Sequence, residues 1–305
     1  TTAELDAVFA GVLAEHGATS NFLGYYDFPA SICTSVNDEV VHGIPGSRVL
    51  EPGDVVSVDC GAIVDGWHGD SAVTVVLDDA DPADVALSRA AHDAMWAGIA
   101  ALHGASRIGE VSAAIDDAIT AAGEEHGVVY GIVEEYVGHG IGTAMHQVPD
   151  VPNFRTREKG ARVRPGLCVA IEPMVCRGER FTQVCEDDWT VVTDDGARAA
   201  HWEHTVALTE RGLWVLTALD GGEAELTELA EAALARLRSG ADDEGVAKTE
   251  SDADEPPQWD PVELLRPEWD YLLREPAAER WEHEASGLTL SPRPETAAAT
   301  PYVSR

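Results

Sequence analysis

An internal repeat constrains this chain more than any other feature. Residues 42–59 contain HGI and then PGDVVSVD, and residues 139–172 contain HGI and then PGLCVAIE. In both copies an acid lies seven residues after the proline: Asp59 follows Pro52, and Glu172 follows Pro165. Another acid follows each copy, Asp70 in HGDSAV and Glu203 in HWEHTV. A chain that repeats itself in this way reads as two related halves. Each half supplies a His and two acids, and a pseudo-twofold arrangement brings the six toward one centre.

The rest of the chain fits an α+β fold. Thr1, three residues before Glu4, fits a helix-capping box, and Leu5, Val8, Phe9, Val12 and Leu13 follow at helical spacing. The stretch VVSVDCGAIVDGWHGDSAVTVVL reads as two strands joined at Asp65 and Gly66, a pair favoured in two-residue hairpin loops. Helical patterns follow in DPADVALSRAAHDAMWAGIAALHG and GEVSAAIDDAITAAGEEHG, each closed by a glycine. Strand-like runs return at VVYGIVEEY, LCVAIEPMV, DDWTVVT and HWEHTVALT. The pattern predicts one domain over residues 1–219, an amphipathic helix within 220–239, and an acidic, largely disordered tail over 240–305. Within that tail Trp259, Val262, Leu265, Trp269 and Leu272 suggest a docking segment, interrupted by Pro261 and Pro267. An unfolded apolar stretch is the plainer reading.

Hairpin arithmetic sharpens the convergence. With Asp65 and Gly66 as the loop, Val64 opposes Trp67 and Asp70 opposes Gly61. Strand side chains alternate with period two, so Gly61, and hence Asp70, shares a face with Asp59. Two carboxylates on a buried face repel unless something neutralises them. No Lys or Arg stands between Glu51 and Val85, so a divalent cation is the natural partner. The same holds for Glu172 in VAIEPMV and Glu203 in HWEHTVAL, because acids are rarely buried unpaired. Two Asp, two Glu and a His form an oxygen-rich set able to hold two divalent ions, and paired ions of that kind suit metal-assisted hydrolysis.

Composition removes other classes. The formal charge is −35, with 55 acidic against 20 basic residues. Such a surface repels phosphate backbones and anionic lipid, so no DNA partner is expected. No uncharged apolar run reaches the length of a membrane span, and TTAELDAVFAG lacks the basic-then-apolar order of a signal peptide. The five cysteines contain no CxxC pair, which fits a reducing cytoplasm better than a disulfide framework or zinc ribbon. With no initiator Met, the chain is expected to be a fragment or a processed form.

Taken in order, SVNDEVVHGIP, VSVDCGAIVDGWHGDSAVTV, GHGIGTAMHQVP, VAIEPMV and WEHTVALT resemble the type I methionine aminopeptidases, over about residues 1–217. The resemblance implies the pita-bread fold: two pseudo-symmetric halves whose antiparallel sheet is covered by helices. It implies metal ligands at Asp59, Asp70, His139, Glu172 and Glu203, with Asp70 and Glu203 bridging two ions drawn from Co, Mn, Fe or Zn. His42 would contact substrate near its reactive end, His146 would hydrogen-bond the scissile carbonyl, and Glu172 would also shuttle a proton. The methionine pocket would map to Tyr25, Phe28, Cys33, Met145 and Trp189. The substrate would be the N-terminus of a peptide or nascent chain with a small second residue, which brings in the ribosome as a partner, and the protein would be a monomer.

The sequence departs from the family pattern at Phe22, where relatives have Cys, at Tyr26, where many have His, and at Met145, where an aromatic is usual. These bear on pocket shape. The family's leading helical segment is expected to be missing before Thr1. His42 also reads as a turn cap and His146 as structural. His68 and His204 are read as pointing to the strand face opposite Asp70 and Glu203, and the second WEH, at Trp281 to His283, as coincidence. The competing functions are a proline-directed peptidase of the same fold and a non-catalytic binding protein.

Overall fold

The structure is a computed structural model describing residues 1–239, 282–283 and 288–289. Nearly all of the expected tail, with the segment from Trp259 to Leu272, lies outside the described residues. Helix α1 (Thr2–Glu15) opens with the expected capping box at Thr1 and Glu4. It leads into β1 (Thr19–Ser20), a short turn at Tyr25–Asp27, β2 (Ile32–Val36) and β3 (Glu39–Val41). Strands β4 (Val55–Val64) and β5 (Trp67–Val76) form the expected hairpin. Asp65 and Gly66 have φ of 51° and 82°, and two left-handed residues in a row match the right-handed strand twist.

Helix α2 (Pro82–Leu102) starts at Asp81, whose side chain accepts from Ala83 N, with Pro82 in the first turn where its missing N–H costs nothing. Helix α3 (Ile108–His126) stops at Gly127, in the left-handed conformation at φ 67°. Then come β6 (Gly131–Ile132), β7 (Gly138–Gly140), β8 (Gln147–Val151), β9 (Cys168–Ile171), β10 (Met174–Cys176), β11 (Thr182–Val184), β12 (Val191–Thr193), β13 (Ala199–His201), β14 (Glu203–Thr209), β15 (Gly212–Val215) and helix α4 (Glu223–Ser239). Residues 282–283 pair with 288–289 in a separate two-stranded ladder.

The main sheet has nine strands in the order β1-β4-β5-β14-β9-β7-β8, with β2 beside β4 and β15 beside β14. That order makes the repeat visible. An axis between β5 and β14 exchanges those two strands, and it also exchanges β4 with β9 and β2 with β7. Helices α2 and α3 pack together closely enough that a Cβ on Gly98 would stand 2.6 Å from Ile115 Cγ1. They bury Leu87, Met95, Ile99, Ile115 and Ile119 against Val169, Ile171 and Val206 of the sheet. Leu226 of α4 joins this core. A second cluster, Val40, Val41, Val133, Met174, Cys176, Val191 and Ala199, lies among the short strands beside the main sheet. Burying these faces supplies most of the driving force, at about 25 cal/mol per Å² of apolar surface. Beside this second cluster, Asp84, 1% exposed, ties α2 to the later loops by pairing with Arg177 at 2.6 Å and Arg198 at 3.1 Å.

Candidate metal centre and apolar pocket

Strand register converts the repeat into a site. Asp59 pairs with Ala72, and Ala72 with Glu203, so these residues form one row across β4, β5 and β14, extended on β2 by Cys33. Paired residues project from the same sheet face. Asp70 lies two residues from Ala72 on that face and opposite Gly61, as the hairpin arithmetic requires. Thr205 fastens the next row: its Oγ1 accepts from Asp70 N at 2.9 Å and donates to Asp70 O at 2.8 Å. Thr205 also pairs with Ala170, and the Gly140–Val169 pair brings His139 alongside. Across the β4–β5 and β5–β14 pairings the residues facing the acids are small, Gly61 and Ala72, which leaves space above the sheet there.

Glu172 arrives differently. It stands one residue past the end of β9 and before Pro173, which has no N–H to continue a ladder. Asn153, fully buried, donates from Nδ2 to the Glu172 carbonyl at 3.0 Å and fixes the turn. The carboxylate then sits between two imidazoles, with Oε1 3.4 Å from His139 Nε2 and Oε2 3.6 Å from His201 Nε2.

All twelve side chains expected at the site line one cavity of about 220 Å³: Tyr25, Phe28, Cys33, His42, Asp59, Asp70, His139, Met145, His146, Glu172, Trp189 and Glu203. Among the described residues no Lys or Arg lines it. Burial first, and then neighbouring charges, push Asp70 and Glu203 well above the carboxylate range. Burial likewise raises Asp59 and Glu172 to about 7. Four acids, Asp70 and Glu203 buried and Asp59 and Glu172 half-buried, with no basic side chain among them can ionise together only around cations. The donor atoms fit that demand. Oδ1 of Asp59 and Oδ1 of Asp70 have no hydrogen-bond partner among the described residues. One ligand atom each from Asp70, His139 and Glu203 lies within 4.8 Å of the others. His139 Nδ1 is 3.0 Å from the Gly140 carbonyl, which can only accept, so Nδ1 carries the proton and Nε2 presents its lone pair to the centre.

The other wall is apolar. Phe22, Phe28, Ala30, Cys33 and Met145 form a buried cluster with Tyr25, Ile44 and Trp189 at its edge. Phe28 meets Trp189 edge-on at 5.0 Å and Phe22 at 6.5 Å. Between the two walls stand the remaining imidazoles. His42 holds a left-handed backbone at φ 61°, its ring 5.3 Å from Tyr136 and 6.1 Å from Trp189. Burial lowers its pKa to about 4, so the ring is neutral at physiological pH. His146, at the mouth, stacks edge-on against His139 at 4.3 Å, and its Nδ1 is 3.0 Å from the Tyr25 hydroxyl. Phe22, one of the expected departures from the family pattern, is part of the pocket wall.

Of the two histidines read as pointing away from the acids, one differs from that reading. His68 shares the Asp70 face, since the two are separated by two positions, and it lies close enough to His146 to help lower that ring's pKa. His204 does point away, bonding Thr217 Oγ1 at 2.8 Å. Sequence reasoning overlooked His201, Tyr136, Met174 and Asn153. The available signal for His201 was its position two residues before Glu203 in the apolar run AAHWEH.

An acid-lined cation site beside an apolar pocket can hold a hydrophobic side chain while a neighbouring carbonyl is hydrolysed. Comparison with known proteins agrees with that chemistry. Residues 1–210 match metallopeptidase family M24. The chain is 50% identical over 214 residues to methionine aminopeptidase 1 of Mycobacterium tuberculosis (strain CDC 1551 / Oshkosh), covering 70% of this chain and 80% of that protein. It is 42% identical over 217 residues to methionine aminopeptidase 1 of Bacillus subtilis (strain 168), covering 71% and 85%. The crystal structure of methionine aminopeptidase from Thermotoga maritima superposes with a TM-score of 0.67 at 37% identity, covering 71% and 85%.

Proposed function

Because the chain belongs to metallopeptidase family M24, we infer that this cavity is the working site of a methionine aminopeptidase of the pita-bread fold, hydrolysing the bond after an N-terminal methionine. The observation that carries the reading is the coincidence of that family match with an acid set that only cations can balance. The catalytic unit spans residues 1–219, and helix α4 packs on it through Leu226.

Asp59, Asp70, His139, Glu172 and Glu203 would hold two divalent ions, with Asp70 and Glu203 offering their carboxylates from adjacent rows of the sheet. Mixed carboxylate and imidazole ligands accept Mn, Fe, Co or Zn, and cellular availability selects among them. Such ions supply a nucleophilic water at neutral pH and polarise a carbonyl. The methionine side chain enters between Phe28, Cys33, Met145 and Trp189, with Tyr25 at the edge, where polarisable groups suit a thioether. His42 meets the substrate beside the scissile bond. His146 donates a hydrogen bond to the carbonyl oxygen as its charge grows, and is worth most in a site shielded from water. Glu172 takes the proton of the attacking water and returns it to the leaving amine.

Peptide N-termini with a small second residue are the substrates, nascent chains at the ribosome among them. The protein works as a cytoplasmic monomer. Among the described residues no helix is long and apolar enough to cross a membrane. The test is hydrolysis of Met-Ala peptides after reconstitution with Mn, Co, Fe or Zn. Asp70→Asn and Glu203→Gln should each lower kcat/KM by about 10³-fold or more. Full activity in either variant overturns the two-ion scheme, and preferential cleavage of Xaa-Pro peptides replaces the methionine specificity with the proline-directed alternative.

A further inference from the structure

We propose that His201 is a positioning residue for the hydrolysis: it donates its Nε2–H to Glu172 Oε2 from the side opposite His139, leaving Oε1 for the cations. The proposal deepens the reading of Glu172 as ligand and proton carrier and rests on it.

His201 is 2% exposed, yet its Nε2 makes no hydrogen bond among the described residues and stands 3.6 Å from Glu172 Oε2. Its backbone is fixed from both sides. The N–H is shared between Ser57 Oγ at 3.2 Å and Thr74 Oγ1 at 3.0 Å, and the carbonyl accepts from Thr74 Oγ1 at 2.7 Å. Antiparallel pairing with Met174 completes the restraint. A ring held this firmly at the edge of a charged cavity must present either a lone pair or an N–H. A lone pair would face the Glu172 carboxylate with Asp59 also close by, adding repulsion to a site that already has too much. The N–H instead makes a charge-assisted bond once the gap closes by a few tenths of an ångström.

The two imidazoles flanking Glu172 are therefore opposite tautomers. Gly140 fixes the proton of His139 on Nδ1, which turns a lone pair to the centre. His201 turns a proton to it. Glu172 is gripped at one oxygen only, so the other keeps a single direction toward the cations. Without His201 the carboxylate can rotate or bind through both oxygens, and the proton it carries loses its fixed path between water and amine.

The experiment compares His201→Leu and His201→Gln in the full chain, measuring kcat and KM on a Met-Ala peptide and Mn²⁺ affinity by isothermal titration calorimetry. Partners of metal ligands typically contribute about 10–100-fold. His201→Leu should therefore lower kcat by that factor, leave KM within about threefold, and weaken Mn²⁺ binding about tenfold. His201→Gln, whose amide N–H reaches a similar point, should recover both to within about threefold. Wild-type behaviour of His201→Leu overturns the proposal. So does a Gln variant as impaired as Leu, because the ring would then only fill space. If His201→Leu does not fold, Gln against Asn decides: the shorter Asn cannot reach Oε2, and equal behaviour of the two overturns the proposal. Glu172→Gln, run in parallel, separates the two failures, since wild-type kcat there removes the reading of Glu172 itself.

Discussion

In the first half of the sheet Asp59 and Asp70 ride on two ten-residue strands of unbroken register, while in the second Glu172 stands just beyond a four-residue strand. The repeat is the same, but the ladder survives in one copy and breaks in the other. Pro173 ends β9, and a second small ladder, β10 with β13, begins immediately after it. The long strands set a rigid spacing between carboxylates. The broken copy lets Glu172 tilt between His139 and His201, and it leaves loops to carry Met145, His146 and Trp189 to the opposite wall. Regular backbone of the first kind suits a cation site, and the broken kind suits the proton-carrying role proposed for Glu172.

Exchanging charge for amide in each half should expose this division most strongly. Glu172→Gln should lower kcat by about 10²–10⁴-fold, the usual worth of a positioned general acid–base group. Asp59→Asn should appear first as lost Mn²⁺ affinity, by at least the roughly 10–100-fold that even outer partners of such sites contribute. Calorimetric titration beside steady-state kinetics distinguishes the two, and identical profiles for both variants would erase the distinction between the halves.

Packing offers a gentler version of the same contrast. The residue two places after the first acid is Gly61, and two places after the second it is the fully buried Met174. Met174→Ala should leave a void costing about 2–5 kcal/mol, a fall in Tm of roughly 4–20 °C for a domain of this size. Gly61→Ala has the opposite fault, since its Cβ would stand 2.6 Å from Asn21 Cβ. Overpacking of this kind costs about 1–3 kcal/mol, or roughly 2–12 °C by differential scanning calorimetry. A Gly61→Ala protein as stable as wild type would show that Asn21 yields, and that the first half is less rigid than its regular ladder implies.

Regular pieces of the molecule were legible from sequence because they follow periodic rules. The Asp65–Gly66 turn, the Gly61–Asp70 pairing and the glycine stop of α3 each depend on a few adjacent residues. The acid set was legible because the repeat placed related residues at related spacings. What escaped reading depends on the path of the chain between elements. His68 lies on the Asp70 face by the same period-two rule that placed Asp59, a rule applied to one neighbour and not the other. His201 and Asn153 matter through contacts with Glu172, and neither β13 nor the loop beyond β8 advertises them. Tyr25 was expected in the pocket, but its bond to His146 Nδ1 joins positions 121 residues apart, a distance no local pattern encodes. Asp84 reads as an ordinary first-turn helix acid, and only the fold brings Arg177 and Arg198 to it.

The seam between the halves also governs when the protein can come into being. Strands β5 and β14 meet at the centre of the sheet, where Ser71 and Glu203 are 132 positions apart in the chain. Contacts of such range form late because the loop entropy must be overcome first. At translation rates of roughly 5–20 residues per second, Asp70 waits on the order of ten seconds for the partner strand that completes its surroundings. During that interval the β4–β5 hairpin offers two carboxylates to water and no closed cavity. Newly made chains therefore complete the site only after β14 has emerged and paired, as a last event of maturation.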